Sequence, residues 1–374
     1  MNNKLLPSGE KIRVGVIGAG AWAEYGHFPA IKLLPQYELT AIYSRSADKA
    51  AELQQRHGFR YIASTLDELV NHAEVDLVLV LTPAPQHEEG IRAAIAAKKD
   101  VYCEWPLTPG TALSKQLFGL ANKAGVRTLV GLQRRLAPGY RYLRDLIDEG
   151  EIGDIRSVRL HISVEYFSRM RSIGLYYTVP EENFSSILAI YGGHYLDVLF
   201  HTLVGYPDCL QSLLVNQFKE VTFKETGVTQ PHRAPDQVVI SGTFPNDAVL
   251  TVHLEAGKQN NYGIQLDITG TDGDLRLTNT QSFGEKSNLI EMAVGMAQPL
   301  QRLDIPSEYE WLPPNELGAS TRELANLYAA HAHDVHHGTK RAPTFADAIR
   351  IHELMDQIVG ANASGKRVNL NISQ

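Results

Sequence analysis

The sequence predicts an α/β protein in two parts. The first, residues 1–135, is a doubly wound parallel sheet. The second, residues 136–374, is an α/β domain with a large, mostly antiparallel open sheet. Three observations predict this. Short apolar runs alternate with helical stretches through the first third of the chain, as in a sheet covered on both faces. A glycine-rich turn follows directly on the first apolar run. Beyond residue 155 the apolar runs lengthen, alternate in polarity and are joined by short turns, which marks antiparallel neighbours. At 374 residues the chain has room for about two domains.

Residues 12–17 form the first strand and end in glycines. Residues 37–43 form the second. Asp76–Leu81 is almost wholly apolar, as expected of a strand buried on both faces, and residues 100–104 and 126–131 repeat the pattern. Between them lie helices at 47–57, after a start signal at Ser64-Thr-Leu-Asp67, at 85–97 and at 111–123. Tyr140, Leu143 and Ile147 share a helical face, and Gly150 and Gly153 close that helix. Strands are then expected at 156–167, 210–223, 237–244, 248–256 and 262–269, with turns at Pro245-Asn-Asp247 and Gly270–Asp274 and a further strand at Leu275–Leu277. Residues 281–318, with scattered Gly, Pro and Ser, are expected to hold a long loop, and 345–359 a helix.

Composition excludes several classes. With 35 basic and 42 acidic residues the formal net charge is −7, which argues against direct nucleic-acid binding. No run of about 18 apolar residues occurs, so no membrane span is expected. No apolar leader segment opens the sequence, and the two cysteines, Cys103 and Cys209, make no disulfide framework. A reduced, cytoplasmic setting is expected.

Gly18-Ala-Gly20-Ala21-Trp22-Ala23 follows the first strand and opens a helix. A dinucleotide site needs glycine where the chain turns, a second glycine where the backbone meets the pyrophosphate, and a small residue where helix packs on strand. Gly18, Gly20 and Ala23 fit those roles. At the end of the second strand stand Ser44, Arg45 and Ser46, with no carboxylate to hold ribose hydroxyls; arginine and serine suit a 2′-phosphate, which favours NADP over NAD. The remaining strand ends, where cofactor chemistry gathers, bring Thr82 and Pro83 with His87, then Glu104 and Trp105, then Gln133. In the second half, His194 and Asp197 fall three apart on a helix; a histidine held by a carboxylate is a good acid/base near neutral pH. The run His331, His333, His336, His337 has one pair at metal-ligand spacing but no completing ligand set, so no metal site is assigned and a solvated helix end is expected.

These motifs, in this order, resemble the glucose–fructose oxidoreductase/inositol dehydrogenase/rhizopine catabolism (Gfo/Idh/MocA) family. The resemblance runs from residues 12–31 with His27-Phe-Pro29, through Thr82-Pro83 with His87 and Glu104-Trp105-Pro106, to the junction at 130–155, Gly192–Asp197 and Gly270–Leu275. It implies an N-terminal Rossmann domain, NAD(P), a sugar or polyol substrate, His194 as acid/base, and an open C-terminal sheet that serves as an oligomer interface. Two departures stand out. Where the family carries Glu-Lys-Pro, this chain has Trp105, whose indole is a donor without a basic nitrogen. Where the family often carries Asp four residues before the motif histidine, it has Ile190. The pattern is similar to one branch in particular, that of the yeast galactose-regulon repressor, which binds a dinucleotide and protein partners without turnover. Two readings follow: an NADP-dependent oxidoreductase acting on a sugar or polyol, or a catalytically silent NAD(P)-binding sensor.

Overall fold

The computed structural model describes residues 9–260, 263–281, 284 and 288–372. Tyr262, read above as a strand start, and residues 282–283 and 285–287 of the expected long loop lie outside them, as do residues 1–8. The chain folds as two compact units. One is residues 1–136 with 311–349; the other is 137–310 with 350–374. The first boundary lies one residue from the one the sequence suggests. Residues 311–349, which the sequence places in the second domain, group with the first unit.

In the first unit six strands are all parallel: β1 (Ile12–Ile17), β2 (Tyr37–Tyr43), β3 (Tyr61–Ile62), β4 (Leu77–Val80), β5 (Asp100–Cys103) and β6 (Thr128–Val130). Their order is β3-β2-β1-β4-β5-β6. The order reverses between β1 and β4, where an open sheet leaves a crevice beyond its strand ends. The helices are α1 (Phe28–Leu33), α2 (Ala47–His57), α3 (Leu66–Asn71), α4 (His87–Ala96) and α5 (Thr111–Ala124). Ser46 and Thr65 cap α2 and α3, accepting from the N–H groups of Lys49 and Glu68, and Gly58 and Gly125 end α2 and α5 in the left-handed region. One core runs from Ile12, Val14 and Leu77 through Phe28 and Tyr102 to Leu324, Leu327 and Tyr328.

In the second unit α6 (Pro138–Asp148) is followed by β7 (Ile155–Ser163), β8 (Met170–Arg171), α7 (Gly193–Leu196), β9 (Cys209–Val215), β10 (Glu220–Phe223), β11 (Thr229–Pro231), β12 (Gln237–Thr243), β13 (Val249–Glu255), β14 (Gly263–Gly270), β15 (Gly273–Asn279), β16 (Leu289–Val294) and β17 (Gln301–Leu303). The closing elements of the chain are α8 (Ala319–His337), in the first unit, then α9 (Phe345–Ser364) and β18 (Val368–Asn369). Nine strands join in the order β17-β16-β15-β14-β7-β13-β12-β9-β18, antiparallel except for the β7–β13 pair. The stretch 210–223 is two strands in two sheets. Asp236 accepts the N–H groups of Gln217 and Phe218 and turns the chain between them, so β10 pairs with β8 and β11. The expected long loop at 281–318 contains two strands, β16 and β17, which extend the edge of the large sheet. The alternation in Leu289–Val294 is too short to stand out against its Gly- and Pro-rich flanks.

No helix among the described residues is long and apolar enough to cross a membrane.

Candidate functional site

The site residues of the first unit sit at the carboxyl ends of the parallel strands. Gly18 follows β1 with φ +103°, and a Cβ there would lie 3.0 Å from the Leu81 carbonyl oxygen; only glycine lets the β1 and β4 ends approach so closely. Its N–H donates to the Tyr43 carbonyl at the end of β2. Gly20 and Ala21 are exposed, and a Cβ on Gly20 would meet open space. Ala23 is buried and starts a π-helical turn, Ala23–His27, that leads into α1. Such turns gather at functional sites. Trp22 packs its ring over Gly26 and donates its indole N–H to Glu104 Oε1 at 3.2 Å.

At the end of β2, Ser44 Oγ accepts the N–H of Ser46, and Ser46 caps α2. Arg45 is exposed and reaches Gln86 Oε1 at 3.3 Å, across the crevice mouth beyond β4. Lys49, one turn on, is held by Glu24 and Glu52, so Arg45 is the cation that stands clear of carboxylates here.

Beyond β4, Pro83 is exposed and Thr82 half-buried, with Thr82 Oγ1 lacking a hydrogen-bond partner among the described residues. His87 is buried. Its Nε2 faces the Thr82 carbonyl at 2.6 Å and its Nδ1 the Leu107 carbonyl at 3.0 Å. Burial pushes its pKa down. A neutral imidazole has one N–H to give, so one of these two carbonyls is its acceptor, and the buried His87 ring packs between the Thr82 turn and Leu107. Gln133, after β6, is 5% exposed and its Oε1 has no hydrogen-bond partner among the described residues. Trp105 is also buried, and Gly131 packs against both Glu104 and Trp105.

Glu104 is the charged centre of this end of the sheet. Its Oε1 accepts from Trp22, from His27 Nε2 at 2.5 Å and from the Tyr102 hydroxyl at 2.8 Å. Burial pushes its pKa up, but the charge and hydrogen bond of His27 and the bond from Tyr102 outweigh that and hold it below the ordinary carboxylate value. Sequence alone does not mark His27, Tyr102 or Tyr328 as site residues. His27 sits in the quoted His-Phe-Pro motif, but Tyr328 arrives from α8, roughly 300 positions away in sequence.

The residues fit a dinucleotide: a glycine turn with room beyond Gly20, polar atoms on Thr82 and Gln133, beyond the ends of β4 and β6, that find no partner among the described residues, and an exposed arginine at the β2 end.

In the second unit, residues 188–203 form one helical stretch that passes from π to α to π form around α7. His194 lies in α7 and Asp197 just after it, 8% and 1% exposed. Tyr191 and Tyr195 stack beside them with ring centroids 6.5 Å apart. The histidine run behaves otherwise than expected. His331 is buried in the first unit with Nδ1 2.7 Å from the Tyr37 hydroxyl, and burial lowers its pKa to about 3. Only the end of that run is solvated, at His337. No group of three or more metal-ligand side chains occurs among the described residues.

Comparison with known proteins agrees with this geometry. A profile of the Gfo/Idh/MocA oxidoreductase family, NAD-binding Rossmann fold, matches residues 12–132, and a profile of the Gal80p C-terminal domain matches residues 138–279. The galactose/lactose metabolism regulatory protein GAL80 of Saccharomyces cerevisiae is 25% identical over 98% of this chain and 97% of its own length. An inositol 2-dehydrogenase of Klebsiella pneumoniae is 28% identical over 71% of this chain and 74% of its own. Among solved structures, levoglucosan dehydrogenase in complex with NADH and L-sorbose superposes with TM-score 0.85 at 21% identity, covering 97% of this chain and 100% of that one. The chain therefore belongs to the Gfo/Idh/MocA family of NAD-binding oxidoreductases and carries a C-terminal domain of the Gal80p type.

Proposed function

We propose that this protein is an NADP-dependent oxidoreductase acting on a sugar or polyol. The observation that carries the reading is the convergence of Gly18, Gly20, Arg45, Thr82, Glu104 and Gln133 on the carboxyl ends of one parallel sheet, in a family that binds NAD. A bound nicotinamide dinucleotide supplies the hydride acceptor or donor. The chain's own residues do the rest. The turn at Gly18–Gly20 takes the pyrophosphate through backbone N–H groups. Ser44, Arg45 and Ser46 take a 2′-phosphate, Arg45 by charge-assisted hydrogen bonds. Thr82 and Gln133 offer their open polar atoms to the nicotinamide half. His194 takes or gives the proton of the sugar hydroxyl, and Asp197, one helical turn on, holds its ring in the working tautomer.

The test is spectroscopic. Full-length protein is incubated with NADP or NAD and a panel of sugars and polyols while nicotinamide absorbance is followed. Reduction with at least one polyol supports the reading; tight binding without reduction by any of them overturns it.

A second reading is favoured by Trp105, which puts an indole where the family's lysine stands, and by the Gal80p-type second domain. On this reading the protein is a catalytically silent NAD(P)-binding sensor whose ligand state selects a protein partner. The same assay separates the two. The reading places the protein in the cytoplasm, as a homo-oligomer that pairs through the large sheet of its second unit. The residues suited to that contact are Val239, Thr251, His253 and Asp267, which line a shallow depression of about 440 Å³. Ile240, Leu250, Val252 and Ile264, each no more than 4% exposed, are buried in the core.

A further inference from the structure

All three hydrogen bonds that Glu104 receives end on one oxygen, Oε1; its other oxygen receives none among the described residues. That second oxygen, Oε2, faces Gly131, where a Cβ would stand 3.1 Å from it and 2.8 Å from the Tyr102 hydroxyl, so only glycine fits beside the carboxylate. The Glu104 side chain is 19% exposed. Behind Oε1 the chain of contacts continues inward: His27 is fully buried and its Nδ1 lies 2.7 Å from the Tyr328 hydroxyl.

His27 Nε2–H donates to the Glu104 carboxylate, and His27 Nδ1 shares a hydrogen bond with the Tyr328 hydroxyl. Held at both ring nitrogens, the imidazole is fixed in its orientation toward Glu104.

We propose that His27 and Tyr328 are positioning residues for the dinucleotide: they tie up Oε1 of Glu104 and leave Oε2 as the single ionised acceptor presented at the β5 end. The inference rests on the dinucleotide reading above and adds residues to it. The donor Oε2 accepts is an N–H or O–H of the nicotinamide half, either the carboxamide or a ribose hydroxyl. Tyr328 comes from α8, so the closing helix of the first unit is thereby coupled to the strand end it packs behind.

The expected signature is a pH profile. The titratable groups facing Glu104 are His27 and Tyr25 from the turn after β1, Tyr102 and Cys103 on β5, His87 at the start of α4 and Tyr328 on α8. Burial raises the pKa of the tyrosines and of Cys103, which stay neutral, and lowers that of His87. Without His27, the cost of burying the Glu104 charge is no longer offset, and the carboxylate takes a proton nearer neutral pH. A protonated Glu104 then presents a weaker acceptor.

The experiment titrates full-length wild-type, His27→Ala, His27→Gln and Tyr328→Phe proteins with NADPH and with NADH by fluorescence across roughly pH 5–8. Circular dichroism first confirms that each variant is folded. Wild-type affinity is expected to be flat over this range. His27→Ala should bind roughly tenfold or more weakly at neutral pH and weaken further as pH falls. Tyr328→Phe, which keeps the ring and loses only the hydroxyl, should move the same way by a smaller factor. His27→Gln, which restores a neutral donor, should recover a flatter profile. A folded His27→Ala or Tyr328→Phe protein whose affinity is unchanged, or lowered equally at every pH, overturns the inference while leaving the dinucleotide reading intact. Failure of the wild-type chain to bind either dinucleotide overturns that reading itself. In that case carboxyl-labelled NMR of Glu104 still decides the network: an unshifted Glu104 titration in His27→Ala refutes it.

Discussion

Trp105 and His194 carry the chemical question at the level of single residues. Trp105 lacks a basic nitrogen, and on the proposed reading His194 is the acid/base. Turnover should therefore depend on His194. His194→Ala is expected to lower kcat by roughly 10²–10⁴-fold with the fold intact, measured by initial rates on the best polyol. Trp105→Lys divides the two functional readings. It should impair an enzyme adapted to tryptophan, whereas in a silent sensor it should create a trace of activity where none existed. On the proposed reading Arg45 sets cofactor choice, and Arg45→Ala should erase most of a preference for NADP over NAD in paired binding titrations. Equal affinities in the native protein would remove the basis for that assignment. The residues at strand ends were legible because a motif and its strand–turn–helix context travel together in sequence. The partners of Glu104 were not, since Tyr328 meets His27 only through tertiary packing.

Helix α8 shows what an element contributes that local sequence hides. It joins the first unit through two kinds of buried polar contact. Arg134 after β6 meets Glu323 at 3.1 Å with both side chains buried, and the Tyr37 hydroxyl on β2 meets His331. Breaking a buried ion pair leaves a charge behind in the interior. Glu323→Ala should accordingly destabilise the protein by about 3–5 kcal/mol in urea unfolding. The histidines give a pH dependence with a definite sign. Burial holds His331 near a pKa of about 3 and His352 near about 4, while in the unfolded chain both titrate near about 6.5. Below that value the unfolded state takes up protons that the folded state refuses. Stability should thus be level above about pH 6.5 and fall as pH drops toward 4, each group contributing up to about 1.4 kcal/mol per pH unit. His331→Gln should make the slope shallower, and a slope that does not change would contradict the assignment. The strands and helices of the first sheet were readable from apolar period and caps. The placement of α8, the split between β9 and β10, and the strands β16 and β17 were not, because each is decided by pairing with distant residues.

The two units divide the work of the whole molecule. The first holds the strand-end site; the second brings the large sheet and the helix bearing His194 and Asp197. Fold class was legible at this scale, since alternating and parallel patterns announce themselves. Which sheet residues face outward was not, because strands with one covered face give a period but no direction. Val239 sits on the open face at 39% exposure. Val239→Arg should shift a dimer or larger assembly toward monomer in sedimentation at micromolar concentration, and a monomeric wild-type protein would count against the interface. The most direct test of the functional account is a single assay: nicotinamide absorbance followed with NADP and a polyol panel, for wild-type and His194→Ala proteins side by side. The account predicts reduction by the wild type on at least one polyol and a loss of roughly 10²–10⁴-fold in the variant. Wild-type protein that binds NADP and reduces none of it, or activity that His194→Ala leaves unchanged, would contradict it.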